Sequence, residues 1–186
     1  IQVIYMHQLP ILWIDNFHKT NFFTRRRLRK IIDDYHTNNS IFNSPIDKNS
    51  EHINYLYQKF LKVSSDVFGN LHTDTRHYRY VSCFKGEYEN MKVRKNSWWH
   101  IKKDITIDSI YFLDTPENGI SFLHKGIVYD ESPKRGDLLV FPPNLIRAYT
   151  PSTTKKCRYS INMGIKIMGT VEDTFQKLFK LQQETN

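Results

Sequence analysis

The sequence predicts an α+β domain in which helices pack on one sheet of a β-sandwich or jelly roll. Two stretches with helical spacing of apolar residues lie within the first 70 residues. After them, short segments with alternating apolar residues recur at intervals of roughly 8–12 residues, which is typical of strands in an antiparallel sandwich. Helices do not alternate with these late strands, and a doubly wound parallel sheet is therefore not expected.

Length and composition limit the class of protein. The chain has 186 residues, of which 39% are hydrophobic and 14% aromatic, enough to build the core of one domain and to exclude wholesale disorder. Mean hydropathy is −0.57, and no apolar run approaches the ~18 residues of a membrane-spanning helix. Cys83 and Cys157 lie far apart, which disfavours a disulfide framework or a zinc knuckle. We therefore expect a cytoplasmic protein, or one of the host cytoplasm or virion if it is viral.

The first elements are two strands and a helix. Residues 1–6 and 10–14 are rich in β-branched and aromatic side chains, which favours strands. Thr24 is a plausible N-cap for the helix that follows. The apolar positions of this helix, Leu28, Ile31, Ile32 and Tyr35, recur at helical spacing. Residues 37–49 are rich in Asn, Ser and Asp and contain Pro45, which predicts a loop.

A second helix is predicted between a cap at Ser50 and a stop at Gly69. Its expected buried stripe consists of Ile53, Leu56, Tyr57, Phe60, Leu61, Ser64, Val67 and Phe68. This stripe would pack against the sheet.

The rest of the chain predicts strands and one closing helix. The strand candidates are residues 77–84, 97–101, 105–113, 119–123, 137–141, 145–149 and 158–167, with turns at 117–119 and 133–136. Thr170 and Asp173 resemble a capping box that opens a short C-terminal helix. We therefore expect one domain over residues 1–186. It comprises a helical support region (1–70), a β-rich barrel (71–168) and the final helix (169–186).

The chain is basic, with 27 Lys and Arg against 19 Asp and Glu and a formal net charge of +8. The first helix carries a run of cations, Arg25, Arg26, Arg27, Arg29 and Lys30, on the side opposite its apolar positions. Such a run is commonly a solvated helix face, but it also permits contact with nucleic acid or another polyanion. Salt-dependent binding would separate the two interpretations.

The β-rich region contains an ordered series of short motifs. They are Trp98-Trp99-His100-Ile101-Lys102, Ile110-Tyr111-Phe112-Leu113, Gly136-Asp137-Leu138-Leu139-Val140-Phe141-Pro142-Pro143, Leu145-Ile146-Arg147 and Arg158-Tyr159-Ser160. In order and spacing this series resembles the 2-oxoglutarate- and Fe(II)-dependent oxygenases, in particular their short forms in marine phage and bacteria. The resemblance implies a double-stranded β-helix (jelly roll, cupin-like), with Fe(II) and 2-oxoglutarate as the family's cofactors.

The resemblance also assigns positions to site residues. His100 falls at the first iron ligand, Lys102 at the carboxylate or imidazole two residues on, and Arg147 at the distal His. Arg158, with Ser160 beside it, falls where the family anchors the distal carboxylate of 2-oxoglutarate. The register of the family is kept, and two of its three metal ligands are replaced by cations.

These replacements predict a degenerate metal site. A facial Fe(II) site needs neutral imidazoles and a carboxylate, whereas an ammonium or a guanidinium has no lone pair to donate. Lys102, Arg147 and Arg158 would instead form a cationic cluster that repels a metal and attracts an acidic ligand. If no anion is bound, we expect a salt bridge to an acidic residue, because an unpaired buried cation is costly. The candidates for this salt bridge are Asp104, Asp108 and Glu117.

Two alternatives stay open. The first is an active hydroxylase with a shifted metal site. Its ligands would be His72, Asp74 and His124 with Arg135 as the carboxylate anchor, or would include Asp104 beside His100. The second is a non-catalytic virion or assembly protein that uses the barrel as a scaffold for a protein partner or nucleic acid. Oligomeric state and substrate do not follow from the residues.

Overall fold

Two antiparallel sheets and two helices make up the described part of the chain. The computed structural model describes residues 2–5, 9–39, 43–45, 50–68, 80–86, 107–116, 119–149 and 158–165. Within these ranges, no helix combines the length and the apolar character needed to cross a membrane. The predicted strand 97–101 and the C-terminal helix 169–186 lie outside the described residues, as do His100 and Lys102.

The elements follow the predicted order of helices first and strands later. They are β1 (Gln2–Tyr5), β2 (Leu12–Asp15), α1 (Phe22–Asn39), β3 (Asn43–Pro45), α2 (Glu51–Phe68), β4 (Tyr80–Gly86), β5 (Ile107–Phe112), β6 (Ile120–His124), β7 (Ile127–Glu131), β8 (Leu138–Phe141), β9 (Ile146–Tyr149) and β10 (Arg158–Ile165). The larger sheet has the order β1-β2-β8-β5-β10-β4-β3, and the smaller has the order β7-β6-β9. The strands β1, β2 and β3 of the predicted helical support region therefore join the larger sheet.

The larger sheet separates two apolar cores. On one face, Tyr111 and Ile161 belong to a cluster with the buried residues of α1 and α2. On the other face, Ile110 and Phe112 belong to a cluster with Phe122 of the smaller sheet. Because side chains alternate along a strand, the even-numbered residues of β5 and β10 point between the two sheets. We call this space the barrel interior. The predicted α+β sandwich with helices on one sheet is confirmed.

The helix α2 follows the predicted pattern. Its first residue follows Ser50, whose carbonyl accepts a hydrogen bond from the Asn54 amide at 2.9 Å. The buried residues are Ile53, Leu56, Tyr57, Phe60, Val63, Ser64 and Phe68. Leu61 and Val67 are only partly buried and pack against the same core. Gly69 lies outside the described residues.

The predicted start of α1 is wrong. The Thr24 amide donates to Oδ1 of Asn21 at 2.8 Å, so that Asn21 is the N-cap and Thr24 lies in the first turn. Phe22 and Phe23 are helical but exposed. They therefore add nothing to the apolar periodicity from which the helix was predicted.

The predicted loop 37–49 is also partly wrong. The helix α1 continues to Asn39, and Asn43–Pro45 forms a short strand against β4. Pro45 fits there because β3 is at the end of the sheet order, where the missing amide hydrogen need not serve a second neighbour.

The strand β7 was also not predicted. β6 and β7 form a hairpin whose two turn residues, Lys125 and Gly126, have φ of 51° and 79°. Two consecutive positive φ values are typical of a type I′ turn, which usually contains Asn, Asp or Gly at its first central position. Because Lys125 occupies that position here, the sequence does not indicate the turn. Ile127 and Val128 are both exposed, so β7 also lacks the alternation expected of a half-buried strand.

Asp137 of the Gly-Asp-Leu-Leu motif connects the segment after β2 to the turn before β8. Its carboxylate accepts hydrogen bonds from Nε1 of Trp13 at 3.0 Å, from the Asn16 amide at 3.1 Å and from the Lys134 amide at 2.8 Å. The adjacent Gly136 has φ of 96°, its carbonyl accepts from the His18 amide, and its amide donates to the Phe112 carbonyl. This part of the motif therefore has a structural explanation.

Two glycines with similar backbone angles should respond differently to Ala. A Cβ at Gly119 (φ 73°) would lie 2.0 Å from the Glu131 carbonyl oxygen, whereas a Cβ at Gly126 (φ 79°) would meet nothing within 4 Å. We expect Gly126→Ala to lower the free energy of unfolding by about 1–2 kcal/mol, the cost of a left-handed non-glycine residue. We expect Gly119→Ala to cost clearly more in urea unfolding. Equal losses would contradict the close approach of Gly119 to β7.

Candidate functional site

Arg147 is the largest buried polar side chain in the barrel interior. It lies on β9 opposite Phe122 of β6, and only 1% of the residue is exposed. Since cross-strand partners share a face of the sheet, Arg147 points in the same direction as the buried Phe122 ring. A guanidinium in this position has to be compensated from within the barrel.

Asp108 provides that compensation. Nη2 of Arg147 donates to Oδ2 of Asp108 at 3.0 Å, and the Asp108 side chain is fully buried. Asp108 lies on β5, opposite Phe141 on one neighbouring strand and Gly164 on the other. The pair therefore joins the two sheets across the barrel interior.

The ring of Phe141 also contacts Arg147. The guanidinium carbon Cζ lies 4.6 Å from the ring centroid, within the ~6 Å of a cation–π contact. The register explains this contact, because Phe141 and Asp108 are direct neighbours on β8 and β5. The Asp108 carboxylate and the Phe141 ring therefore both stabilise the guanidinium of Arg147.

A second polar group lies on β10. Arg158, Ser160 and Asn162 are 7%, 3% and 1% exposed, and they alternate with Tyr159 and Ile161 of the helix-side core. Ser160 is opposite Phe112 and Asn162 is opposite Ile110, so this row of polar residues faces the barrel interior.

The described part of the barrel interior holds two guanidinium groups. Arg147 is paired with Asp108, and Arg158 lies buried on the interior face of β10. Guanidinium groups form charge-assisted hydrogen bonds with carboxylates and do not bind metal ions.

The structure brings together some of the predicted site residues. The expected salt bridge is confirmed for Arg147 and Asp108. Arg158 and Ser160 are buried on one face of β10, two positions apart. His100, Lys102, Asp104 and Glu117 lie outside the described residues.

Two residues of the interior were missed as site candidates. Asn162 continues the alternation of Arg158 and Ser160, and this signal is present in the sequence. Phe141 was read only as part of a strand motif. Its contact with Arg147 depends on the pairing of β5 with β8, which the sequence does not specify.

The described residues do not fit an iron centre. Among them, no three His, Cys, Asp or Glu side chains are grouped so that they could hold a metal ion. Arg147 has no lone pair to donate, and its charge is already engaged with the Asp108 carboxylate. The same residues fit a carboxylate better, since Arg158 and Ser160 offer a guanidinium and a hydroxyl on one buried face.

Two residues of the alternative, shifted metal site are among the described residues. His124 is at the end of β6, where burial and the nearby charge of Lys125 lower its pKa. Arg135 is exposed in the turn before β8, and its amide donates to Oγ1 of Thr115 at 3.0 Å. A solvent-facing turn is a poor position for the anchor of a carboxylate within the barrel. His72 and Asp74 lie outside the described residues.

Comparison with solved structures identifies the fold. The chain is similar to HygX from Streptomyces hygroscopicus with nickel and 2-oxoglutarate bound, with a TM-score of 0.60 and 10% identity over 87% of this chain and 84% of that one. It is also similar to a Pseudomonas putida prolyl-4-hydroxylase, with a TM-score of 0.57 and 14% identity over 87% and 94% of the two chains.

A third similar structure is the Trichoplax adhaerens prolyl hydroxylase in complex with a peptide of the hypoxia-inducible factor oxygen degradation domain. Its TM-score is 0.56, with 14% identity over 92% of this chain and 86% of that one. No protein-family model and no curated protein matches the sequence. At these identities the likeness shows the fold. The chain has the α+β double-stranded β-helix architecture of the 2-oxoglutarate oxygenases, as its motifs predict.

Proposed function

We propose that this protein is an oxygenase-like barrel in which an Arg147–Asp108 ion pair replaces the metal centre, and that Arg158 and Ser160 bind an acidic small molecule without metal. The buried ion pair is the observation that carries the proposal. A shared fold does not transfer an activity, so the argument depends on the residues of the barrel interior.

The first step concerns the position of Arg147. In the order of family motifs, it follows the Phe-Pro-Pro turn where the distal His would be. A guanidinium remains charged at any accessible pH and cannot coordinate Fe(II). Displacing it would leave Asp108 buried without its partner, which costs several kcal/mol. The Arg147 guanidinium therefore disfavours iron by its positive charge, and the cost of breaking the ion pair keeps it in place.

The second step concerns the retained anchor. Arg158 and Ser160 occur at the family spacing after the Phe-Pro-Pro turn, and both are buried. Hydrogen bonds between a guanidinium and a carboxylate are charge-assisted and strengthened by a low local dielectric. These residues would bind and orient one carboxylate of the ligand. Without a metal, the barrel would bind the acid and leave it unoxidised.

Binding of 2-oxoglutarate and succinate, measured by calorimetry under anaerobic conditions with and without Fe(II), tests this proposal. We expect the same affinity in both conditions. We expect Arg158→Ala to weaken binding by about 10- to 100-fold, because a hydrogen bond to a charged group contributes about 1.5–3 kcal/mol.

The matched control is Arg135→Ala, which removes an exposed arginine from a turn and should leave the affinity unchanged. Binding strengthened by Fe(II), or release of succinate from 2-oxoglutarate, would contradict the metal-free proposal. Failure of both acids to bind would contradict the ligand half and favour the scaffold alternative.

A double-mutant cycle tests the ion pair itself. We expect Asp108→Ala to lower the free energy of unfolding by about 3–5 kcal/mol, since it leaves a buried guanidinium without its carboxylate. The double variant Asp108→Ala/Arg147→Met should lose clearly less than the sum of its two single variants in urea unfolding, because no buried charge is left uncompensated.

Arg29→Ala serves as the control, since Arg29 pairs with Asp114 while 40% exposed. We expect it to cost no more than about 1 kcal/mol, as is usual for a pair near the surface. Strict additivity of Asp108→Ala and Arg147→Met would mean that the two side chains do not stabilise each other.

A further inference from the structure

The helical layer contains a solvent-open cleft on the side of the larger sheet away from the barrel interior. Its volume is about 530 Å³, and its lining residues are Phe23, Thr24, Arg26, Arg27, Lys30 and His52. Five of them belong to α1, and His52 belongs to the first turn of α2. We call it the α1–α2 cleft.

The α1 residues of the cleft form one continuous face. Positions 23, 26, 27 and 30 follow the i, i+3, i+4, i+7 spacing that places side chains on one side of a helix. They span about 10 Å along the helix axis. The cleft therefore presents one aromatic ring followed by three cations, in line.

The cleft is cationic throughout its described lining. Arg26, Arg27 and Lys30 contribute three positive charges, and no Asp or Glu lines it. Nη1 of Arg27 lies 3.4 Å from Nε2 of His52. Since a guanidinium only donates, Nε2 accepts in this contact, which links the two helices beside the three cations. This arrangement is complementary to phosphate.

Aromatic exposure gives the second, independent observation. Phe22 is 60% exposed and Phe23 80% exposed, and their ring centroids lie 5.7 Å apart in an edge-to-face arrangement. Cζ of Arg25 lies 6.0 Å from the Phe22 centroid. Adjacent exposed rings bordered by guanidinium groups are the kind of surface on which nucleic-acid bases stack.

Arg29 does not belong to this surface, although it lies in the same basic run. It forms an ion pair with Asp114, and its Cζ lies 5.4 Å from the centroid of Tyr159. Tyr159 in turn donates to Oδ1 of Asp33 at 3.0 Å. These contacts direct Arg29 toward the sheet, so the sequence-based grouping of Arg29 with the other cations needs correction.

We infer that the α1–α2 cleft binds single-stranded nucleic acid. Phosphates would contact Arg26, Arg27 and Lys30, and an unpaired base would stack on Phe23. A concave cleft favours a strand over a flat anionic membrane, which could not enter it. An exposed ring can stack only on a base whose face is accessible. Bases in a duplex are already stacked on each other, so a single strand is favoured over a duplex.

Fluorescence polarisation with labelled dT15 and U15, measured over a series of salt concentrations, tests this inference on the full chain. We expect Arg26→Ala/Lys30→Ala to weaken binding and to reduce the slope of log K against log salt by about 1.4, or about 0.7 for each lost phosphate contact on a single strand. The matched control, Lys125→Ala/Lys134→Ala, removes two exposed lysines that do not line the cleft. It should leave the slope unchanged.

Substitutions of Phe23 test the stacking contact. We expect Phe23→Ala to weaken binding by at least about 5-fold, and Phe23→Leu to do nearly as much, since leucine keeps apolar area without an aromatic face. The five substituted positions, Phe23, Arg26, Lys30, Lys125 and Lys134, are all exposed, so unchanged thermal unfolding is expected.

Four results would overturn the inference. The first two are the absence of binding to both oligonucleotides, and equal losses of affinity in the Arg26/Lys30 and Lys125/Lys134 variants. The other two are unchanged affinity of Phe23→Leu, and tighter binding of a duplex of the same length. Binding only to anionic vesicles would instead identify a membrane surface and would also contradict it.

Discussion

The barrel interior is organised by one constraint: a buried guanidinium must have a buried carboxylate as its partner. Arg147 and Asp108 meet this requirement across the two sheets at 3.0 Å. The contact depends on β5 and β8 pairing in the register that places Asp108 opposite Phe141. A shift of one residue would turn Asp108 toward the helices and leave Arg147 uncompensated. The ion pair therefore forms only in this register, and its loss would disfavour a shifted register.

The two faces of the larger sheet have separate roles. Its barrel side carries Arg147, Asp108 and the polar row of β10, and the proposed binding of an acid depends on them. Its helix side is an apolar core that holds α1 and α2, and Arg29 and Tyr159 add polar contacts between α1 and the sheet. The cationic cleft is on the outer surface of this helical layer. The two proposed binding sites therefore lie on opposite sides of the larger sheet.

Local patterns predicted much of the fold. The buried stripe of α2 and the strands from β8 to β10 follow the periodicity of their apolar residues. Predictions failed where the deciding contact was made by a single polar side chain or by an uncommon turn residue. Asn21 caps α1 through its own side chain, and Lys125 stands in a turn where Asn or Gly is usual. The site was predicted in part, because alternation along β10 turns Arg158 and Ser160 to the same side. The choice of Asp108 as partner, among three candidates, depended on strand pairing between distant segments, which local patterns do not specify.

Iron content tests the central claim most directly. The protein would be incubated with excess Fe(II) under nitrogen, desalted, and analysed by elemental mass spectrometry. Because the proposal assigns Arg147, a cation, to the position of a metal ligand in the family, the account predicts iron far below one atom per chain. One tightly held iron per chain would show that the barrel assembles a metal centre despite the Arg147–Asp108 pair, and would contradict the account.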